Sequence, residues 1–136
     1  MAEGFARRYG SDVLETASAG LYPAPIIQPL TFKVMQEKNI NLEGQFPKGL
    51  DAVDVPSFNL IVNMSGRQLP ATASMELMDW KVQDPIGQPE SVYVAVREHL
   101  EMLVMRLILE LRRREKKEMS RPAPRQTLQG VRRSLK

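Results

Sequence analysis

The chain has 136 residues, 43% of them hydrophobic and 26% charged, which is the composition of one globular domain with a sizeable core. It contains no cysteine and a single histidine, His99, so disulfides, thiolate catalysis and thiolate metal sites are excluded; we expect no metal, no cofactor and a packing or surface role for His99. No apolar run approaches the roughly 20 residues that cross a bilayer, and residues 1–8 lack the order of a signal peptide. The sequence therefore predicts a cytoplasmic protein without a membrane span.

Positive charge is concentrated at one end of the sequence. Residues 112–136 carry ten lysines and arginines against two glutamates, a net charge of +8, which leaves −5 for residues 1–111 of the total of +3. With Pro122 and Pro124 and little apolar periodicity, this segment is typical of a disordered basic tail. A basic tail can bind nucleic acid or an anionic surface, but this one has no interleaved aromatic residues, so we expect it to be solvated.

Six elements are predicted from the spacing of apolar residues and from turn residues. In chain order they are a helix over 1–9, a strand over 13–19, a helix over 29–38, a strand over 58–64, a weaker strand over 75–80 and a helix over 89–114. Gly10 ends the first helix, Pro29 begins the second and Asn39 ends it. The compact apolar run at 58–64 is typical of a central parallel strand buried on both faces. This order predicts an α/β fold, a doubly wound parallel sheet with helices on both faces.

The last predicted helix carries two apolar stripes. The main stripe consists of Val92, Val96, Leu100, Leu103, Val104, Leu107 and Leu111. Met102, Met105 and Leu109 form a second stripe nearly opposite the first. The second stripe either packs under a neighbouring loop or forms a dimer contact, and the spacing favours neither.

Short motifs follow one another in order along residues 1–112. They are Met1-Ala2-Glu3-Gly4-Phe5-Ala6, Ser18-Ala19-Gly20, Pro29-Leu30 with Lys33-Val34-Met35, the segment from Asn39 to Gln45, Lys48 with Leu50-Asp51, the strand Asn59–Met64, and the segment from Trp80 to Pro85. Taken together, this ordered set resembles the low-molecular-weight phosphotyrosine phosphatase family, whose fold the thioredoxin-coupled arsenate reductases share. The resemblance implies a phosphotyrosine protein phosphatase I-like α/β fold and hydrolysis of a phosphomonoester through a phosphocysteine.

The loop that carries the family's nucleophile has no counterpart in this sequence. In the family a first strand runs into a loop Cys-x-x-x-x-x-Arg-Ser, and the helix with Met-Ala-Glu-Gly-Phe follows it. This sequence begins at that methionine, so the resemblance implies an N-terminally incomplete domain over 1–111, without the thiolate and without the N–H groups that receive the phosphate. We expect the chain as it stands to be catalytically incompetent, because Ser18 and Ser65 have no histidine base near them in the sequence.

Asp84 is the retained candidate for catalysis. The resemblance makes Asp84-Pro85 the family's general acid, vestigial here without a nucleophile, whereas the two residues by themselves are typical of a turn. The arsenate reductase branch uses two further cysteines near the third strand, where this chain has Met64-Ser65-Gly66-Arg67. If codons upstream of Met1 supply the loop, we expect a phosphatase acting on phosphotyrosine protein or a small aryl phosphate, with arsenate reduction as the lesser alternative.

The family's sheet order, 2-1-3-4, has a consequence for assembly. The resemblance places the absent first strand in the interior of the sheet, between 13–19 and 59–64. Unpaired backbone groups that face a buried gap cost about 1–3 kcal/mol each. We expect either that the two flanking strands close on each other or that a second copy completes the sheet in a strand-swapped or intertwined dimer. A non-catalytic binding or assembly module is therefore the alternative to an incomplete enzyme.

Overall fold

The computed structural model describes residues 1–69 and 76–120. Its regular elements, in chain order, are helix α1 (Ala2–Gly10), helix α2 (Pro29–Gln36), two short 3-10 helices (Leu50–Ala52 and Val55–Ser57), strand β1 (Leu60–Asn63), strand β2 (Glu76–Asp79) and helix α3 (Glu90–Met119). β1 and β2 pair in parallel, with Leu60 opposite Glu76. Helices combined with a parallel strand pair confirm the predicted α/β class.

Helix α1 forms where aromatic residues recur at helical spacing. The rings of Phe5 and Tyr9 stack with their centroids 5.9 Å apart, and Phe5 is fully buried. Gly10, the last residue of the helix, lies against α3, because a Cβ placed there would be 2.8 Å from Cγ1 of Ile108. The glycine predicted to end α1 therefore also permits the close approach of α1 to α3.

Helix α2 begins and ends through the residues that the sequence singled out. Pro29 occupies the first turn, where a helix does not need the missing N–H group. Past the other end, Asn39 adopts a left-handed backbone with φ of 58°, and the N–H group of Ile40 donates to the carbonyl of Met35 at 3.1 Å. Helices commonly end in this way. The turn directs Ile40 and Leu42 into the core.

Helix α3 runs further than predicted. It extends over Glu90–Met119, so the boundary predicted at residue 112 falls inside the helix. Arg112 explains part of this extension, because its Nη2 donates to the carbonyl of Tyr9 at 2.8 Å and its Nε pairs with Asp12 at 2.9 Å. The predicted disordered tail is wrong for the part that α3 includes. The rest of that tail, residues 121–136, lies outside the described residues.

The hydrophobic core lies among the three helices and the segment that follows α2. Its buried members are Phe5, Ala6, Val34, Met35, Ile40, Leu42, Tyr93, Val96, Leu100, Val104 and Ile108. Among the described residues, none from β1 or β2 belongs to this cluster or packs against it, whereas Trp80 and Val82, just after β2, do pack against it. No helix within the described ranges is long and apolar enough to span a bilayer.

The buried face of α3 differs in part from the predicted main stripe. Val96, Leu100 and Val104 are buried as predicted, but Leu107 is only partly buried and its neighbour Ile108 is fully buried. α3 packs on α1 and α2, and these two helices decide which of its faces is covered.

The second apolar stripe of α3 is partly packed inside the protein and partly exposed, so it fits neither a covering loop nor a dimer contact over its whole length. Met105 packs against the core, while Met102 and Leu109 are 43% and 58% exposed. The dimer contact remains a prediction for the two exposed side chains.

Strand β1 is less buried than predicted. The strand predicted over 58–64 is confirmed at 60–63, but residues 60–62 are partly exposed and only Asn63 is buried, so its predicted burial on both faces is wrong. Within the described residues one strand, β2, lies beside β1, and the helices pack on one another instead of covering both faces of the pair. β2 confirms the weaker strand predicted over 75–80. The wide doubly wound sheet is not formed by the part of the chain that the structure describes.

The strand predicted over 13–19 is also wrong. A turn follows α1, and the chain then runs to Ala19 without joining a ladder in the described ranges. An isolated parallel bridge between Gly20 and Gly49 lies just beyond it. The physical reason is the missing neighbour, since a strand forms only where an adjacent backbone accepts and donates its hydrogen bonds.

Candidate functional site

Loops at one edge of the sheet form the candidate site. Because β1 and β2 are parallel, the segments that follow them, 64–69 and 80–88, leave from the same edge. In open α/β sheets, ligands bind outside the carboxyl ends of the strands. We call 20–22, 46–49, 64–69 and 80–88 the carboxyl-edge loops.

Two contacts join three of these loops. The N–H group of Gly20 donates to the carbonyl of Lys48 at 2.8 Å, next to the bridge between Gly20 and Gly49. The guanidinium carbon of Arg67 lies over the Tyr22 ring, 5.3 Å from its centroid. The loop that follows β1 is therefore held beside the loop that begins at Gly20.

The side chain of Glu3, in the first turn of α1, ties the helix to these loops. Its carboxylate is 4% exposed, accepts a hydrogen bond from the Ser18 hydroxyl at 2.6 Å and pairs with Nε of Arg7 at 2.8 Å; Nζ of Lys48 lies 4.0 Å away. A carboxylate is favoured at this end of a helix by the helix dipole. All of these groups are satisfied by one another, so the cluster anchors α1 to the segments that carry Ser18 and Lys48.

Asp84, the predicted general acid, lies in an exposed turn. Its Oδ1 accepts the N–H group of Ile86 at 3.0 Å, the N–H group of Gln88 donates to the Pro85 carbonyl at 2.9 Å, and Gly87 has a φ of 77°. This is the Asp-Pro turn that the two residues indicate by themselves. Within the described residues, no side chain of another element forms a hydrogen bond with Asp84, and its role as an acid remains a prediction.

The turn after β1 is organised by a buried side chain, Asn63. Its Oδ1 accepts the N–H group and the hydroxyl of Ser65 at 3.0 and 2.6 Å, and its Nδ2 donates to the Arg67 carbonyl at 2.6 Å and to Oδ1 of Asp79 at 3.0 Å. Gly66 supplies the positive φ, 74°, that the turn requires. The segment after β1, which the sequence analysis noted only for its lack of cysteines, is therefore a turn held by several hydrogen bonds.

A surface cleft lies between the segment after α1 and Phe58, which precedes β1. It has a volume of about 480 Å³ and is lined by Arg7, Ser11, Leu14, Glu15, Thr16 and Phe58. The Thr16 hydroxyl is buried and has no hydrogen-bond partner among the described residues. The N–H groups of residues 15–19 likewise donate to no acceptor in the described ranges.

The sequence analysis did not single out three residues that organise the site. Glu3 was noticed only within a motif, Asn63 only as part of an apolar run, and Arg67 only as one of the residues in place of cysteine. An asparagine at the end of an apolar strand, followed by Ser-Gly, was the available signal for an organised turn. His99 is partly buried on α3, and the described residues contain no group of carboxylates and histidines that could hold a metal ion.

The comparison with protein families matches residues 1–118 to the low molecular weight phosphotyrosine protein phosphatase family. The chain belongs to this family. Its membership confirms the resemblance carried by the ordered motifs, and it accounts for loops that meet at the carboxyl ends of parallel strands beside the first turn of α1.

The relatives that it resembles carry the name arsenate reductase. A glutaredoxin arsenate reductase of Synechocystis sp. is 27% identical over 115 residues, which cover 82% of this chain and 87% of that protein. Arsenate reductase 1 of Bacillus cereus is 29% identical over 104 residues, covering 74% and 77%. A solved structure of an arsenate reductase in the reduced state is 27% identical, with a TM-score of 0.72, and covers 80% of this chain and 86% of that one. These names favour the arsenate alternative over the phosphatase that the sequence analysis preferred.

Proposed function

We propose that this family member is the scaffold of an arsenate reductase whose reactive thiol comes from outside these 136 residues. The observation that carries the proposal is the match to most of the length of relatives named arsenate reductase, 87% and 77% of two of them, in a chain without cysteine. Reduction of arsenate takes two electrons, which two thiols supply by forming one disulfide, and in the proposal these are the added cysteine and a thiol of the thioredoxin or glutaredoxin reductant. No side chain of this chain provides them, so the 136 residues alone are inactive.

The open side of β1 supports a place for the added thiol. The segment 15–19 has unpaired N–H groups in the described ranges, the Thr16 hydroxyl is buried without a partner there, and a cleft lies between this segment and Phe58, which precedes β1. An extended strand in this gap would pair with backbone on both sides. In the proposal, the thiol-bearing strand adds here and delivers its end to the first turn of α1, where helix N–H groups favour an anion.

The phosphatase alternative has its own support. The family model that matches the chain is a phosphotyrosine protein phosphatase, and Asp84-Pro85 resembles the acid of that reaction. Where the arsenate reductase branch uses two further cysteines, this chain has Met64-Ser65-Gly66-Arg67. Under this alternative the added thiolate attacks phosphorus and Asp84 protonates the leaving oxygen.

A non-catalytic assembly module is the remaining alternative. The same unpaired backbone at 15–19 accepts a strand from a second copy, but a second copy brings no cysteine. Under this alternative the chain forms a dimer, and sedimentation detects it. A single monomeric, cooperatively unfolding species would argue against it. A cytoplasmic location is part of the enzymatic proposals, since cytosolic reductants keep the thiols reduced.

The proposal is tested with two proteins of verified intact mass. One is the 136-residue chain, and the other is the same chain extended by in-frame translation of the codons upstream of Met1. In an assay that couples NADPH oxidation to arsenate through thioredoxin or glutaredoxin, we expect no turnover by the first and turnover by the second. Replacement of the added cysteine by serine is the matched control and should abolish turnover.

Several outcomes separate the alternatives. Arsenate turnover by the unextended chain would overturn the need for an added thiol, and an upstream sequence without cysteine would overturn its proposed source. Hydrolysis of an aryl phosphate by the extended protein, without arsenate reduction, would favour the phosphatase. In that case Asp84→Asn should slow hydrolysis most for esters with poor leaving groups.

A further inference from the structure

Among the described arginines, Arg67 is one of three, with Arg8 and Arg106, whose charge is not paired by a carboxylate. Within residues 1–69 and 76–120, no carboxylate lies within ion-pair distance of its guanidinium. The arginines that pair with carboxylates in the same ranges are Arg7, Arg97, Arg112, Arg113 and Arg114. Arg67 thus keeps its hydrogen-bond donors available at the carboxyl edge of the sheet.

The backbone of Arg67 is held from beneath. Nδ2 of the buried Asn63 donates to the Arg67 carbonyl at 2.6 Å, and the N–H group of Arg67 donates to Oγ of Ser65 at 3.1 Å. Since Asn63 is 7% exposed and belongs to β1, it fixes the turn to the sheet. An exposed turn with this many side-chain bonds places its arginine more reproducibly than an open loop would.

The guanidinium itself is also positioned. It lies over the ring of Tyr22, which is 81% exposed. This cation–π contact holds the guanidinium near the ring, and the fork of N–H donors of an arginine can bind two oxygens of one anion. The carboxylate of Asp79, at the end of the adjacent strand β2, accepts a hydrogen bond from Asn63 through Oδ1.

We infer that Arg67, held over the Tyr22 ring in a turn fixed by Asn63, binds a tetrahedral oxyanion such as arsenate or phosphate at the carboxyl edge of the sheet. This inference rests on the proposed function, and it assigns to Arg67 the binding of the substrate anion.

The test is a titration of the 136-residue chain with inorganic phosphate at constant ionic strength, followed through the NMR signals of the Arg67 Nε–H group and the Tyr22 ring. We expect saturable shifts in the wild type, about tenfold weaker binding in Arg67→Gln and an intermediate loss in Arg67→Lys, which keeps the charge but not the fork. Arg106→Gln, on the exposed side of α3, is the matched control and should bind as the wild type does. Thermal unfolding of each variant verifies that the fold is retained.

Three results would overturn the inference. They are the absence of saturable shifts in the wild type, unchanged binding by Arg67→Gln, and binding of acetate as tightly as phosphate, which would mark a general carboxylate contact. In the extended, thiol-containing protein, Arg67→Gln should raise KM for arsenate and leave kcat nearly unchanged. Failure of that protein to turn over arsenate would contradict the proposed function. The phosphate titration would still test anion binding by Arg67.

Discussion

The helices and the strands of this molecule contain similarly apolar segments but bury them differently. Core residues of α1, α2 and α3, such as Phe5, Val34 and Ile108, are fully buried, whereas Leu60, Ile61 and Val62 of β1 are partly exposed. No residue of β1 or β2 joins the hydrophobic cluster within the described ranges. The apolar residues of a segment thus determine which side chains it can bury. The elements that pack against the segment determine which of them are buried.

Backbone hydrogen bonding explains the difference. A helix satisfies its N–H and C=O groups internally, so α1, α2 and α3 form and then pack through side chains. A strand satisfies its backbone groups only through neighbouring strands, and β1 has one neighbour, β2, in the described residues. The helical half is therefore predicted to carry most of the stability, and the strand half to stay open for addition.

The largest effect is expected from cavity formation in the helical half. Phe5 is fully buried between α1 and the other helices, so Phe5→Ala should lower the free energy of unfolding by about 3–5 kcal/mol. Leu77→Ala, in β2 at 43% exposure, is the matched control and should change it by less than about 1 kcal/mol. Urea denaturation measures both. Equal losses would contradict the division between the two halves.

A smaller loss is expected from crowding the contact between α1 and α3. A Cβ at position 10 would lie 2.8 Å from Cγ1 and 2.9 Å from Cδ1 of Ile108, so Gly10→Ala should lower the free energy of unfolding by about 1–3 kcal/mol. At Gly20, in the loops of the strand half, a Cβ would meet nothing nearer than 3.6 Å, and Gly20→Ala should be close to neutral. The thermal midpoints of the two variants check this, and a larger fall for Gly20→Ala would refute it.

The smallest effect concerns the ion pair that joins the two halves. Arg114 of α3 pairs with Glu76 of β2 at 2.9 Å and also contacts Glu110. Because both members are about half exposed, Arg114→Gln should lower the free energy of unfolding by only about 0.2–1 kcal/mol at low salt, with less effect at high salt. Arg106→Gln, which removes an arginine from the same helix, is the control.

This ion pair also predicts a pH dependence. The hydrogen bond from Arg114 lowers the pKa of Glu76 below its ordinary 4.5, and Arg113, followed by Arg114, lowers the pKa of Glu110 to about 2. A lowered carboxyl pKa contributes stability above its unfolded value, and this contribution is lost as the pH falls through the folded value. The difference between wild type and Arg114→Gln should therefore be present near neutrality and close as the pH falls from about 4.5 toward 2. A difference that persists at the acid end would show that the arginine acts through packing.

Local signals made the helices predictable. The signals that define α1 and α2 involve only residues close together in the chain, so they can be read from the sequence. They are the spacing of Phe5 and Tyr9, Pro29 in a first turn and Asn39 beyond a last turn. The turn at Asp84 is local in the same sense. The ordered motifs also identified the family, because together they extend over most of the fold and do not depend on one contact.

Residues distant in the chain decided the remainder. Whether 13–19 becomes a strand depends on a partner for its backbone, and whether Ile108 or Leu107 faces inward depends on where α1 and α2 lie against α3. Arg67 and Tyr22 are 45 positions apart, and only folding brings the guanidinium over the ring. The sequence by itself determined which segments are helical, the family and the lack of a thiol. The tertiary structure decided which strands pair, which apolar faces are covered and which of the described arginines are left unpaired, since each of these depends on atoms that local sequence does not bring together.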